Sequence, residues 1–439
     1  MKKIFLFITT LLLVTACNND LEQFPPNIAS ADSLDDFTGV LNAAYFYQLG
    51  TVTPMAVMGD FRADNALMFE EPYPSFDRYN SDLLDMEDQF FEPFYIAAYR
   101  SILSTNTIIA NSTSTTDVGE AKFLRALSYF KLVKVFGPVP VNLNPPVVNE
   151  DTAQLVRQPV ADVYNNVIIP DLQDAIAALD NSGSKGRASQ IAAHALLGKV
   201  YMQMGDFGSA ETHLASVVSD AATTGVTLQA NFADIFGSGN DLNSEIIYAT
   251  QMSASITDEY GFTEFTGWFI GNDSKAFDPL DTDLSDAYDA AGDVVRKDLT
   301  VDVPNLRSVK YLSEDPDHDF IEIRLADIIL LLAEARNENT NASGAQSATI
   351  LGLLDDIRTR AGLPSLSGTA TTQATVRQAI ADERRLELAF EGHRWFDLVR
   401  TGTVDAEMGQ TINANYHLFP LPVSEILASD GVITQNVGY

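Results

Sequence analysis

The segment from Ile191 to Leu214 constrains the fold more than any other part of the sequence. Apolar residues recur there at helical spacing as far as Tyr201, and Gly205 and Asp206 interrupt the pattern before it resumes. Small residues within the pattern allow two antiparallel helices to approach each other closely. The segment therefore predicts a helix hairpin.

The spacing within this hairpin is similar to the tetratricopeptide pattern, in which Leu and Tyr fill the seam between two helices. The matching positions are Leu197, Gly198, Tyr201, Gly205 and Ala210. Weaker matches to this pattern occur over residues 123–136 and 323–336. We therefore expect a mainly α-helical protein built on a degenerate set of helix hairpins rather than on a regular solenoid.

Two stretches between the helical segments are rich in Gly, Asp, Ser, Thr and Pro, and long insertions of this kind are usually functional. We expect a single domain over residues 27–439, with its scaffold in 27–220 and 320–439 and loop-rich ligand-binding insertions at about 50–90 and 221–319. Short strands are predicted at 245–250 and 319–323.

The N-terminus has two lysines, an apolar run and a small-residue exit, which are the parts of a secretory signal. The exit, Val14-Thr15-Ala16-Cys17, resembles the lipobox of bacterial lipoproteins, in which cleavage precedes the cysteine and its thiol is acylated. We expect a signal peptide over 1–16, lipidation of Cys17 and a tether over 17–26. An ordinary signal peptide with an incidental cysteine is the alternative. The apolar run is too short to span a bilayer comfortably.

Charge and cysteine content exclude several classes of protein. The chain has 27 Lys and Arg residues against 60 Asp and Glu residues, which gives a net charge of −33. Such a surface repels a polyphosphate backbone, so nucleic-acid binding is disfavoured. Because Cys17 is the single cysteine, the chain forms no internal disulfide and no cysteine-based metal site.

The sequence lacks the common catalytic patterns: His-Glu-x-x-His, Gly-x-Ser-x-Gly, a P-loop and a dinucleotide fingerprint. Its five histidines are scattered along the chain. A glycosidase would need two carboxylates at a defined separation. With 60 acidic residues some pair meets any such distance, so a surface glycosidase stays an alternative without specific support. We expect a protein that is not an enzyme.

One acidic stretch imitates part of a calcium-binding loop, because Asp281, Asp283 and Ser285 place alternating oxygens along the chain. The later positions do not fit, since Asp286 replaces the required glycine and Gly292 replaces the required glutamate. An EF-hand is therefore excluded. We expect no cofactor, with a structural Ca²⁺ left open against a plain solvated loop.

Three stretches carry a more specific signal. Residues 120–140 form a long helical pattern that ends in Phe-Gly-Pro-Val-Pro, and residues 384–398 read Arg-Arg-Leu-Glu-Leu-Ala-Phe-Glu-Gly-His-Arg-Trp-Phe-Asp-Leu. Residues 418–439 contain Leu-Phe-Pro-Leu-Pro and end in Gly-Tyr. Together they resemble the hallmark segments of SusD/RagB-type outer-membrane lipoproteins. The resemblance implies a SusD-like fold with a few short strands.

Proteins of that family sit as lids on SusC-type TonB-dependent transporters and capture oligosaccharides or, in some branches, peptides. The resemblance implies a lipoprotein anchored in the outer membrane and facing the cell exterior. It would bind a nutrient, foremost an oligosaccharide, and pass it to a SusC-like TonB-dependent transporter. A peptide-binding member of the family, a helical-repeat adaptor and a surface glycosidase are the alternatives.

Charged and aromatic residues of the second hallmark stretch have a structural interpretation. Glutamates there repeat at four-residue spacing with arginines within reach for pairing. We expect scaffold packing from them, with contact to the transporter as the alternative. The residues are Arg385, Glu387, Glu391, His393, Arg394 and Trp395.

Sugar binding needs flat aromatic platforms with polar side chains around them. Trp268 lies in a glycine-flanked part of the long insertion, and a second aromatic group lies at 73–80. Local packing of the insertions against the scaffold is the alternative for both. The candidate ligand-binding residues are Trp268, Phe269, Asn272, Tyr73, Phe76, Arg78 and Tyr79.

Overall fold

The computed structural model describes residues 34–145, 152–253, 265–270, 280–311, 317–340 and 345–439. The predicted signal peptide, the tether and Cys17 lie outside these residues. The helices in the first half are α1 (Thr38–Gln48), α2 (Val52–Asp60), α3 (Ser75–Arg78), α4 (Glu92–Asn111), α5 (Thr115–Phe136), α6 (Val160–Val163), α7 (Ile169–Ala178), α8 (Gln190–Met204) and α9 (Phe207–Asp220). Those in the second half are α10 (Phe265–Ile270), α11 (Thr282–Ala291), α12 (Val294–Thr300), α13 (Leu325–Thr340), α14 (Ala345–Gly352), α15 (Asp355–Arg360), α16 (Gln373–Leu388), α17 (Arg394–Thr401), α18 (Val404–Glu407) and α19 (Val423–Ala428).

The predicted helix hairpin is confirmed as α8 and α9. The side chain of Ser189 caps the start of α8, and Gly205 ends the helix in the left-handed conformation with φ of 75°. Asp206 then caps α9. The two helices meet closely, because a Cβ built on Gly198 would lie 2.5 Å from Leu214 Cδ2.

The two segments with a weaker form of the pattern, 123–136 and 323–336, also contain helices, which pack on this hairpin or on its neighbours. Helix α5 packs between α4 and α7, and α13 packs against α9 and α16. Ser114 caps the start of α5, and Gly137 ends it with φ of 72°, where a side chain is disfavoured. The expectation of a mainly helical scaffold is confirmed.

Strands are short and occur as three antiparallel pairs in the described part of the chain. Both predicted strands exist and pair with each other, as β3 (Ile246–Thr250) and β6 (Phe320–Arg324). The smaller pairs are β1 (Val139–Pro140) with β2 (Arg157–Gln158), and β4 (Val301–Asp302) with β5 (Arg307–Ser308).

The stretch at 50–90 contains more helix than the sequence predicted. Helix α2 is buried along its whole length, and most of its residues are apolar or small. A Cβ on Gly59 would lie 2.2 Å from the carbonyl oxygen of Gly392, so α2 packs directly on the turn that follows α16. Asp60 accepts hydrogen bonds there from the backbone amides of Phe390 (3.2 Å) and Gly392 (2.6 Å). This stretch is therefore part of the scaffold as well as of a loop surface.

One continuous hydrophobic core joins these elements and includes residues from Phe37 to Ile433. In the part of the chain that the structure describes, no helix has both the length and the apolar character needed to cross a bilayer.

Candidate functional site

The two aromatic residues predicted as the main sugar platform lie inside the protein. Trp268 and Phe269 belong to α10 and are both 0% exposed. The ring of Trp268 makes edge contacts with the rings of Tyr73 (5.1 Å) and Phe90 (5.3 Å), and Phe269 lies 5.4 Å from Phe61. The prediction that Trp268 and Phe269 offer exposed ring faces is wrong. Their rings instead hold the insertion against α2.

Two other predicted ligand residues are also packed against the scaffold. Phe76 is 0% exposed, so its prediction as a ligand contact is wrong as well. Tyr79 is 9% exposed, stacks on Trp395 at 5.8 Å and donates a hydrogen bond to the carbonyl oxygen of Arg62 at 2.8 Å. Its ring has little surface left for a ligand. Asn272 lies outside the described residues.

The aromatic surface that this region does offer is centred on Phe69, which is 62% exposed. Leu67 is also exposed, Tyr73 is half-buried, and Arg78 is exposed. We call these four residues the Phe69 face. Phe69 was missed by the sequence reasoning, although it is followed directly by two glutamates, a context that opposes burial. Tyr73 and Arg78, which were predicted, follow Phe69 in the same segment of the chain.

Polar groups surround the Phe69 face. Arg78 forms an ion pair with Glu71, and the hydroxyl of Tyr73 donates to Gln89 Oε1 at 3.3 Å. Asp77 accepts a hydrogen bond from the backbone amide of Met68 at 3.3 Å. Burial raises the pKa of the Asp77 carboxyl to about 7. An exposed ring beside carboxylates and a guanidinium is the combination that binds apolar sugar faces and their hydroxyl groups.

A cavity lies elsewhere, between α13, α16, α17 and the turn that joins α8 to α9. It has a volume of about 330 Å³. Of the predicted scaffold residues, Arg385, His393 and Arg394 line it. Arg394 is held by a bidentate pair with Asp64, with both N–O distances 2.7 Å, so its position is fixed. We call this cavity the helix cleft.

Glu387 and Glu391 belong to a buried network of five cations and five carboxylates. Arg324 is at its centre and reaches Glu387 at 2.6 Å and Glu391 at 2.7 Å. Burial by itself would raise the pKa of Glu391, but Arg324 and Lys310 outweigh burial and hold it at about 2. The other members of the network are Glu245, Asp293, Arg296, Arg358, Arg360 and Glu383.

This network joins the long insertion to the C-terminal helices. Arg296 on α12 bonds Glu387 on α16 at 2.8 Å, and Arg324 at the end of β6 bonds Glu245 before β3 at 2.9 Å. Trp395 is fully buried and donates to the carbonyl oxygen of His417 at 3.3 Å. Through these contacts, residues of the 384–398 stretch hold the described scaffold together.

The acidic stretch that imitates a calcium loop caps helices instead. Asp281 accepts the amide of Asp283 at the start of α11 (3.0 Å), and Asp283 bonds Arg385 at 2.9 Å. Within the described ranges, no group of three or more His, Cys, Asp or Glu side chains is arranged to hold a metal ion. Two histidines that are distant in sequence do meet, with His194 Nδ1 and His213 Nδ1 3.0 Å apart on α8 and α9.

Comparison with known proteins identifies this combination of fold and motifs. A family profile described as "SusD family" matches residues 307–417, and one described as "Starch-binding associating with outer membrane" matches residues 17–202. The chain belongs to the SusD/RagB family. Proteins of the SusD family associate with the outer membrane, and the family is one of binding proteins rather than of enzymes.

Known SusD-like proteins match over most of their length. SusD-like protein P2 of Formosa agariphila is 26% identical over 99% of both chains. The starch-binding protein SusD of Bacteroides thetaiotaomicron is 22% identical over 78% of this chain and 76% of that protein. A solved laminarin-binding SusD-like protein is 25% identical, with a TM-score of 0.73 over 92% of this chain and 99% of that one.

Proposed function

We propose that this SusD-family protein binds an oligosaccharide, with a glucan as the first candidate, at the Phe69 face. The exposed ring of Phe69 is the observation that carries the choice of surface, because an exposed Phe in a polar loop has no role in the core. The names of the laminarin-binding and starch-binding relatives support the choice of ligand class.

The contacts at this face fit a neutral sugar. The rings of Phe69 and Tyr73 offer apolar area for the C–H face of a pyranose, while Arg78 and Glu71 offer donors and acceptors for its hydroxyl groups. Tyr73 is in turn held by the edge of Trp268. The buried Trp268 therefore supports a partly exposed ring rather than touching the ligand itself.

The test is isothermal titration calorimetry of β-1,3- and α-1,4-glucan oligosaccharides with the wild type and with Phe69→Ala. We expect Phe69→Ala to bind at least about tenfold more weakly, since loss of an aromatic contact costs about 1.5 kcal/mol. Leu427→Ala is the matched control, because Leu427 is 72% exposed on α19 and is not part of the Phe69 face. Equal affinity of the Phe69 variant and the control would refute the assignment of the surface. Binding of peptides and of no glucan would favour the peptide-binding branch.

We further propose that the protein is anchored through Cys17 at the outer surface and passes its ligand to a SusC-like TonB-dependent transporter. The lipobox and the family's association with the outer membrane support this role. Radiolabelled palmitate should label the wild type in cells and leave Cys17→Ser unlabelled. Affinity purification of the tagged wild type from the outer membrane should recover a TonB-dependent transporter. A Cys17→Ser variant that still carries palmitate would contradict the anchor.

A further inference from the structure

A smaller crevice of about 30 Å³ adjoins the helix cleft. The two cavities share Met202, Arg384, His393, Asp397 and Arg400 as walls. The crevice adds Lys134 and Lys199, together with the rings of Phe130 and Phe396, to the walls. The crevice is therefore lined by four cations and by one carboxylate, that of Asp397, in a protein whose net charge is −33.

Most of these cations are matched by carboxylates. Lys199 bonds Asp327 (2.5 Å), Arg384 bonds Asp327 (2.8 Å) and Asp397 (2.9 Å), and Arg400 bonds Asp397 (2.9 Å) and Glu334 (2.5 Å). Three cations thus face three carboxylates, and their formal charges cancel.

Lys134 is the exception. Its ammonium lies 4.2 Å from the ring centre of Phe396 and 5.4 Å from that of Phe130, and among the described residues no carboxylate forms an ion pair with it. Burial lowers the pKa of Lys134 to about 7, and the charge of Lys199 adds to the effect. A half-buried ammonium without an ion-pair partner is costly to keep charged, so an anion placed beside Lys134 would favour its charged form and pair with it.

A second donor faces the same space. Burial lowers the pKa of His393 to about 3, so its imidazole is neutral and keeps one N–H. Within the described chain, neither ring nitrogen of His393 forms a hydrogen bond or an ion pair. His393 lines the cleft, the crevice and a third small cavity that reaches Glu391.

We propose that the crevice and the helix cleft form a second binding site, which takes a small saccharide-sized ligand carrying one carboxylate or sulfate group. Lys134 and His393 receive the anionic group, which gives the Lys134 ammonium an ion-pair partner. The cleft of about 330 Å³ holds the rest of the ligand, and pockets of about 300–1,000 Å³ suit such molecules. Phe207, Gln378 and Thr401 offer a ring and hydroxyl-binding groups along its walls.

This site is independent of the proposed function, because no residue of the Phe69 face lines the helix cleft. The test is calorimetry with three sugars of one ring size: methyl glucuronide, glucose 6-sulfate and methyl glucoside. We expect at least one charged sugar to bind about tenfold or more tightly than the neutral glucoside. Which of the two anions binds decides between a carboxylate and a sulfate ligand. Phe69→Ala should leave this binding unchanged.

Lys134→Met should weaken binding of the charged sugar about tenfold or more. Lys122→Met is the matched control, because Lys122 lies on the same helix α5 and is already paired with Asp174. The melting temperature of Lys134→Met should equal or exceed that of the wild type, so lost binding does not reflect unfolding. The proposal is overturned if neither charged sugar binds, if the neutral glucoside binds as tightly, or if Lys134→Met behaves like Lys122→Met.

Discussion

Replacing Arg324 tests how much the buried ion-pair network stabilises the fold. Its guanidinium makes five hydrogen bonds, to the carboxylates of Glu245, Glu387 and Glu391 and to the carbonyl oxygen of Glu387. Arg324→Met keeps much of the side-chain volume but removes the charge. Three buried carboxylates then share fewer cations, and breaking a buried pair in this way costs about 3–5 kcal/mol. We expect a loss of that size in the free energy of unfolding.

The assay is equilibrium unfolding in urea, followed by circular dichroism and by tryptophan fluorescence. Arg336→Met is the control, because Arg336 is half-exposed and makes one ion pair, with Glu211 at 3.2 Å. That change should cost about 0–1 kcal/mol. Adding Glu391→Gln to Arg324→Met should restore part of the loss, because it removes one uncompensated charge.

A loss of less than about 1 kcal/mol for Arg324→Met would refute this reasoning. It would mean that the remaining cations of the network, Arg296, Lys310 and Arg360, are enough to compensate the carboxylates. No recovery in the double variant would show instead that the lost hydrogen bonds, and not the unbalanced charge, account for the effect.

Three further predictions concern Glu391, two glycines and the two tryptophans. The pKa of Glu391 is about 2 in the folded protein, against an ordinary value of 4.5. The Glu391 carboxylate therefore adds about 3 kcal/mol to the free energy of unfolding above pH 4.5, and this contribution is lost as the pH falls towards 2. Acid unfolding monitored by circular dichroism should therefore begin below pH 4.5, and Glu391→Gln should flatten that dependence. Gly59→Ala places a Cβ against the backbone of Gly392 and should lower the free energy of unfolding by about 3 kcal/mol. Gly39→Ala, in α1 where no atom is close, should raise it by about 0.5–1 kcal/mol. Thermal unfolding of the two variants measures the difference. Both tryptophans are 0% exposed, so their emission should be blue-shifted and acrylamide should quench it weakly; strong quenching would contradict the burial of Trp268.

The sequence predicted the scaffold because that part of the fold rests on local patterns. The spacing around Gly198 and the break at Gly205 indicate a hairpin without knowledge of any distant contact. The two short strands could also be predicted, since each is a short segment rich in β-branched or aromatic residues.

The site was harder to predict because exposure of an aromatic ring depends on contacts that are distant in sequence. Trp268 has polar and glycine neighbours, which favour a loop, yet Phe61, Tyr73 and Phe90 cover its ring. Phe69 is left outside by the same packing. The unpaired state of Lys134 depends in the same way on which carboxylates Lys199, Arg384 and Arg400 occupy.

The hydrogen bonds that Asp60 accepts from the backbone amides of Phe390 and Gly392 join residues 330 and 332 positions apart. Burial raises the pKa of Asp60 to about 6, which reflects how completely this turn encloses it. An emerging chain therefore cannot close the space around α2 until nearly all of it has been made. Such distant pairing slows folding, so the N-terminal helices stay open to chaperones and proteases until synthesis is nearly complete. A chain truncated before residue 390 should be degraded rather than accumulate as a shorter folded protein.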